Sequence, residues 1–121
     1  MAGLKEIVVD ADHPATLARF WAKVAEGYSV RAYDEAEIAR LAALGLTPET
    51  DPVVMVDGPG PTLCSHSRSG PRLFRNRIHL DLSAAEVARV TALGATFWRS
   101  QDNYTTLRDR EGNPFCIIDA E

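Results

Sequence analysis

Apolar and polar residues alternate with a period of two in several short stretches and with a helical period in three others, and the two kinds follow one another twice in a similar order. Leu4 to Asp10 is rich in β-branched residues, with Ile7 and Val9 on one face and Glu6, Val8 and Asp10 on the other, which predicts a strand buried on both sides. Asp12-His13-Pro14 supplies a helix start, because proline is tolerated in the first turn, where its missing N–H would be unpaired anyway. That helix is predicted to run to about Ala25, with Leu17, Phe20, Trp21 and Val24 as its apolar stripe, Trp21 in the core and Gly27 as the stop. Tyr28 to Tyr33 reads as a strand. Asp34 to Leu44 reads as an amphipathic helix carrying Ile38, Leu41 and Leu44, closed by Gly45 and inserted into an otherwise plain strand meander. Val53 to Val56 and Thr62 to Ser67 are strands flanking a Gly/Pro turn at residues 57–61.

The second half opens on the cleanest alternation in the chain, Asn76 to Leu82, where Ile78, Leu80 and Leu82 interleave with Arg77, His79 and Asp81. Ser83 is placed to cap a helix carrying Val87, Val90 and Leu93 and ended by Gly94. Strands follow at Ala95 to Arg99, Tyr104 to Arg108 and Pro114 to Asp119. The order is βαβββ in both halves, and Glu6…Leu17-Ala-Arg-Phe20 matches His79…Val87-Ala-Arg-Val90 once a three-residue gap is allowed. The pattern therefore predicts one α+β domain over residues 1–121, with module one at 1–68, a linker at 69–75 and module two at 76–121.

Composition narrows the function. A 121-residue chain with 45% hydrophobic and 25% charged residues can bury a core without disulfides. Cys64 and Cys116 lie in apolar strands without CxxC spacing and read as buried thiols. The net charge of −4 argues against nucleic acid. The one basic cluster, Arg68, Arg72, Arg75 and Arg77, surrounds Gly70-Pro71 and reads as a solvated loop. No stretch approaches the roughly 18 apolar residues of a membrane helix. Met1-Ala-Gly-Leu-Lys-Glu6 lacks a basic region followed by an apolar one, so a soluble, cytoplasmic protein is expected.

Several segments, taken together, resemble a known family. They are Pro14…Leu17-Ala-Arg-Phe-Trp21, Asn76-Arg-Ile-His-Leu-Asp-Leu82, Leu93-Gly-Ala95 and Asp109-Arg-Glu-Gly-Asn-Pro-Phe-Cys-Ile117. In this order and spacing they resemble the glyoxalase-like and bleomycin-resistance-like branch of the vicinal oxygen chelate superfamily, over nearly the whole chain. The resemblance implies two βαβββ modules forming a curved mixed sheet around a cleft, a small-molecule ligand and a homodimer. In metal-using relatives the ligands come from the first and last strands of each module; these places are held here by Glu6, His66, His79 and Cys116.

Those residues support two functions. In the first, the cleft, lined by Met55, His66, His79, Asp81, Trp98, Tyr104 and Cys116, binds or sequesters a small organic molecule, aromatic or otherwise drug-like compounds included, without chemistry. In the second, Glu6, His66 and His79 hold one divalent metal, Zn, Fe, Mn or Ni, and the protein is a metal-dependent lyase, isomerase or dioxygenase. Relatives usually place a carboxylate where Cys116 stands, and a cysteine there serves equally as packing or as a zinc thiolate. The incomplete ligand set favours binding, with no cofactor required. Trp98 and Tyr104 are the aromatic residues set to stack on a flat ligand. Gly112 fits the left-handed position of the turn at 109–113.

Overall fold

The structure, a computed structural model, describes residues 2–67, 78–83 and 86–119. The expected linker at 69–75 and its arginines lie outside the described residues. The chain divides into two compact units, residues 9–73 and residues 1–8 with 74–121. The elements are β1 (Gly3–Ala11), α1 (Pro14–Val24), β2 (Ser29–Val30), α2 (Glu35–Ala43), β3 (Val53–Asp57), β4 (Thr62–Ser67), β5 (Ile78–Ser83), α3 (Val87–Ala92), β6 (Thr96–Ser100), β7 (Tyr104–Arg108) and β8 (Pro114–Ile118). This is the expected mixed α+β fold of repeated strand–helix modules. Among the described residues no helix is long and apolar enough to cross a membrane.

In the unit of residues 9–73 the strand order is β2-β3-β4 followed by the end of β1. β3 and β4 pair antiparallel with Met55 opposite Cys64 and Val53 opposite His66. Strand alternation sends Val54 and Val56 to the other face, where they are buried against Ala15 and Ala18 of α1. Ser65, on that same face, donates its hydroxyl to the Pro14 carbonyl at 2.9 Å, which satisfies a buried polar group at the helix start.

The apolar stripe expected of α1 is not the one that is buried. Phe20, Trp21 and Val24 are 54%, 37% and 58% exposed, and Phe20 meets Trp21 edge to face at 5.1 Å. The sheet takes the alanine face instead. Small side chains let a helix approach a flat strand pair closely, and Ala15, Ala18 and Ala22 recur at the spacing that makes one face. α2 is capped as its sequence predicts: the Asp34 side chain accepts from the Glu37 N–H at 2.8 Å and Gly45 ends the helix at φ +76°. Of its three packing positions, Leu41 alone is fully buried, while Ile38 and Leu44 are exposed.

In the other unit the order is β1, over its first residues, then β5-β8-β7-β6. β5 and β8 run parallel with Asp81 opposite Cys116, and β8 and β7 run antiparallel with Cys116 opposite Thr106. One face of these strands carries Leu107, Ile117 and Phe115, which pack with Ala95 and with Val90 of α3. α3 covers the β7–β8 side of that face, and Ile78 and Leu80 on β5 remain about half exposed. Ser83 is not a helix cap: it ends β5, and Glu86 precedes the helix without a side-chain cap bond. The β7–β8 turn is fixed by Asp109, whose Oδ1 accepts from the Glu111 and Asn113 N–H groups at 2.9 Å, with Gly112 at φ +86°.

Candidate metal centre

The face of β5-β8-β7 opposite Leu107 gathers the titratable groups. His79 and Asp81 are two residues apart on β5 and therefore point the same way. Strand register continues the row through Cys116 to Thr106. One potential ligand atom from each of His79, Asp81 and Cys116 lies within 4.8 Å of the others. His79 Nε2 is 3.3 Å from Asp81 Oδ1, and the Thr106 hydroxyl is 3.6 Å from Cys116 Sγ.

Two features of this group fit a cation. Asp81 is only 7% exposed, and its Oδ1 is buried without a well-directed hydrogen bond. His79 Nε2 approaches that oxygen at 3.3 Å, a long and weak contact that leaves it short of donors. A buried carboxylate oxygen left short of donors is costly unless something positive completes it. Second, the donors are an imidazole, a carboxylate and a thiol, a set that suits zinc. Without a cation the pair compensates through a proton. Burial pulls the His79 pKa down, but hydrogen bonding to Asp81 and then to Cys116 outweighs it and pushes the group up to about 10. The imidazole is then a cation beside the carboxylate at neutral pH.

The remaining expected site residues fall as follows. Tyr104 shares the His79 face, since Tyr104, Thr106 and Arg108 alternate with buried Leu107. Trp98 lies in β6 at a register shift between Phe97 and Arg99. Glu6 is buried in β1, outside the group of three. His66 belongs to the unit of residues 9–73, where it is exposed and its Nδ1 is 2.8 Å from the Ser67 carbonyl. Met55 lies in that same unit and lines a cavity of about 390 Å³ with Arg31, Tyr33, Glu37, Arg40 and Asp51.

In this cavity the charges are already matched. Arg31 forms a two-pronged pair with Asp57 at 2.7 and 2.8 Å, and Arg40 pairs with Glu37. Tyr33 donates to buried Asp51 at 2.8 Å, and burial followed by that bond pushes its hydroxyl up to about 12. Both cysteines are free thiols. Asp51 and Tyr33 carry little local signal, being one acidic and one aromatic residue bordering strands. Thr106 and Arg108 are set on the Cys116 face by the alternation of Tyr104 to Arg108, a placement that needs the β7–β8 register to be seen.

Comparison with known proteins agrees with this architecture. The family model described as a glyoxalase-like domain matches residues 6–118. No curated protein matches the sequence. Among solved structures, a protein from Staphylococcus aureus superposes with a TM-score of 0.57 at 9% identity, covering 98% of this chain and 99% of that one, which shows a shared fold. A structure titled oxidase ChaP-H2 aligns over 98% of this chain and 94% of its own, with TM-score 0.39 and 16% identity. The hypothetical protein SA1046 from S. aureus aligns over 93% of each chain at TM-score 0.31 and 12% identity.

Proposed function

Since the chain belongs to the glyoxalase-like domain family of the vicinal oxygen chelate superfamily, we propose that it is a metal-dependent enzyme of the lyase or isomerase type, with His79, Asp81 and Cys116 holding one divalent cation. The observation that carries this reading is the convergence of three donor types around a buried carboxylate oxygen that lacks a proper partner. A bound cation would supply a Lewis acid that polarises an oxygen of the substrate and acidifies the neighbouring C–H.

The chain's own residues do the rest. Asp81, fixed in the middle of β5, supplies the negative charge that anchors the site. His79 gives up its proton and presents Nε2 on the same face. Thr106 sits beside Cys116 and offers a hydroxyl that orients the thiolate, as outer-shell hydrogen bonds do in metal sites generally. Tyr104 closes the same face with an aromatic ring against which a small substrate can lie. The imidazole–carboxylate–thiolate set leans to zinc and thereby to proton-transfer chemistry over ring cleavage.

Protein purified without chelator is expected to contain about one equivalent of zinc, and His79→Ala and Asp81→Ala to lose it, as elemental analysis reads. The wild type should then turn over small 2-hydroxycarbonyl compounds in a zinc-dependent manner. Full metal content in both variants would sink the proposal.

A second reading, sequestration without chemistry, is favoured by the cavity beside Met55, whose volume of about 390 Å³ suits a small organic molecule. It requires ligand binding that survives complete metal removal and fails in Met55→Arg. Thermal shift of the metal-free protein with aromatic ligands measures this directly.

A further inference from the structure

Beside the His79–Asp81–Cys116 group, the same sheet face carries two arginines around one tryptophan. The centre of the Arg108 guanidinium is 4.2 Å from the centroid of the Trp98 ring, and that of Arg99 is 4.9 Å from it. Their placement is set by the strands. Arg108 lies two residues beyond Thr106, the residue opposite Cys116, and so emerges on the Cys116 face about 7 Å further along β7 by strand rise. The register shift in β6 sets Arg99 opposite Thr106 and leaves Trp98 as the extra residue, a displacement that re-aims side chains as β-bulges do.

Two guanidinium groups at one ring repel each other, and a folded protein usually neutralises such a pair with a carboxylate. Among the described residues neither Arg99 nor Arg108 has an acidic partner, whereas Arg19, Arg31 and Arg40 each do. Arg108 also has its Nε buried with no acceptor among the described residues. A guanidinium stripped of water along one edge and stacked on an indole is held in place, and it attracts an anion more strongly than a solvated surface arginine. Among the described residues no carboxylate fills that place, and the geometry suits an anion brought in from outside.

We propose that Arg108, assisted by Arg99 and oriented by Trp98, forms an anion subsite, and that the substrate handled at the His79–Asp81–Cys116 face is a small organic carboxylate. The planar fork of the guanidinium matches the two oxygens of a carboxylate. The distance along β7 lets one end of a compact molecule rest on Arg108 while its other end reaches the three-residue group. This inference deepens the metal-dependent reading and rests on it for the identity of the second end.

The test uses the whole chain carrying Trp21→Phe, so that Trp98 is the sole tryptophan, with benzoate as the probe and benzamide as its neutral counterpart. Trp98 fluorescence should show benzoate binding about tenfold more tightly than benzamide or better, as expected when a charge-assisted hydrogen bond is gained. Arg108→Gln should abolish that preference and leave the metal content unchanged. Arg108→Lys should keep part of it, which separates loss of charge from loss of fold. Equal affinities for the two probes in the Trp21→Phe protein, or a preference that survives in Arg108→Gln, would overturn the subsite. If the protein holds no metal but still prefers benzoate through Arg108, the anion subsite stands and the metal-dependent reading fails.

Discussion

Replacing Leu107 by alanine is expected to lower the unfolding free energy by about 2–5 kcal/mol, a large fraction of the roughly 5–15 kcal/mol that holds a domain together. Leu107 is 0% exposed and stands at the centre of the cluster with Ala95 and Ile117, against which Val90 and Phe115 pack. Truncation leaves a cavity walled by two strands and a helix, elements that cannot collapse inward without breaking the β7–β8 ladder. The effect reaches the site as well, because Thr106 and Arg108, the chain neighbours of Leu107, emerge on the opposite face. Urea unfolding of Leu107→Ala beside Leu107→Met, a volume-conserving change expected to cost less than about 1.5 kcal/mol, measures it. A cost below about 1 kcal/mol for the alanine variant would show that this cluster is not the core of its unit.

The second large effect is a reversal of pH dependence by metal. His79 in the metal-free protein is raised from 6.5 to about 10, with burial opposing and the bonds to Asp81 and Cys116 prevailing. A raised folded-state value means that protonated His79 stabilises the fold. That contribution is fully present below 6.5 and is lost as pH rises through about 10. The melting temperature of the metal-free protein should therefore fall across this window, and that of His79→Gln should not follow it. Metal binding requires the neutral imidazole, so each pH unit below the raised value costs about tenfold in apparent metal affinity through His79 alone. Loss of the His79 proton alone is thus expected to raise zinc affinity about 100-fold between pH 6 and pH 8. Zinc-loaded protein should gain stability where metal-free protein loses it. Proton release measured on zinc addition at neutral pH would confirm the exchange, and a pH-independent affinity would contradict it.

Local pattern carried much of the fold. β4 and β7 match their alternation residue for residue, and the turn at Asp109 to Asn113 follows from the capping chemistry of Asp109 and the left-handed Gly112. Both are short-range effects that a few adjacent residues decide. Choices between competing faces were not local. α1 offers a bulky stripe and an alanine stripe, and which one meets the sheet depends on how near the strands must come. Ser83 looked like a cap because cap residues and strand ends use the same amino acids; the parallel pairing of Ser83 with Ile118 keeps it in the sheet.

The candidate centre was legible as residues and illegible as a group. His79, Asp81 and Cys116 each stood out, the first two by alternation and the third by its likeness to a family position. Their meeting depends on the parallel register of β5 with β8, a long-range pairing that no window of sequence records. The same holds for Arg108, whose neighbours are set by β7–β8 pairing, and for Trp98, whose aim is set by an irregularity in β6.

Cobalt(II) titration of the metal-free protein bears most directly on the central claim that an imidazole, a carboxylate and a thiolate of one sheet face hold a single cation. A thiolate-to-cobalt charge-transfer band is expected that saturates at about one equivalent and disappears in Cys116→Ser. Saturation without that band, or a band of full strength in Cys116→Ser, would contradict it.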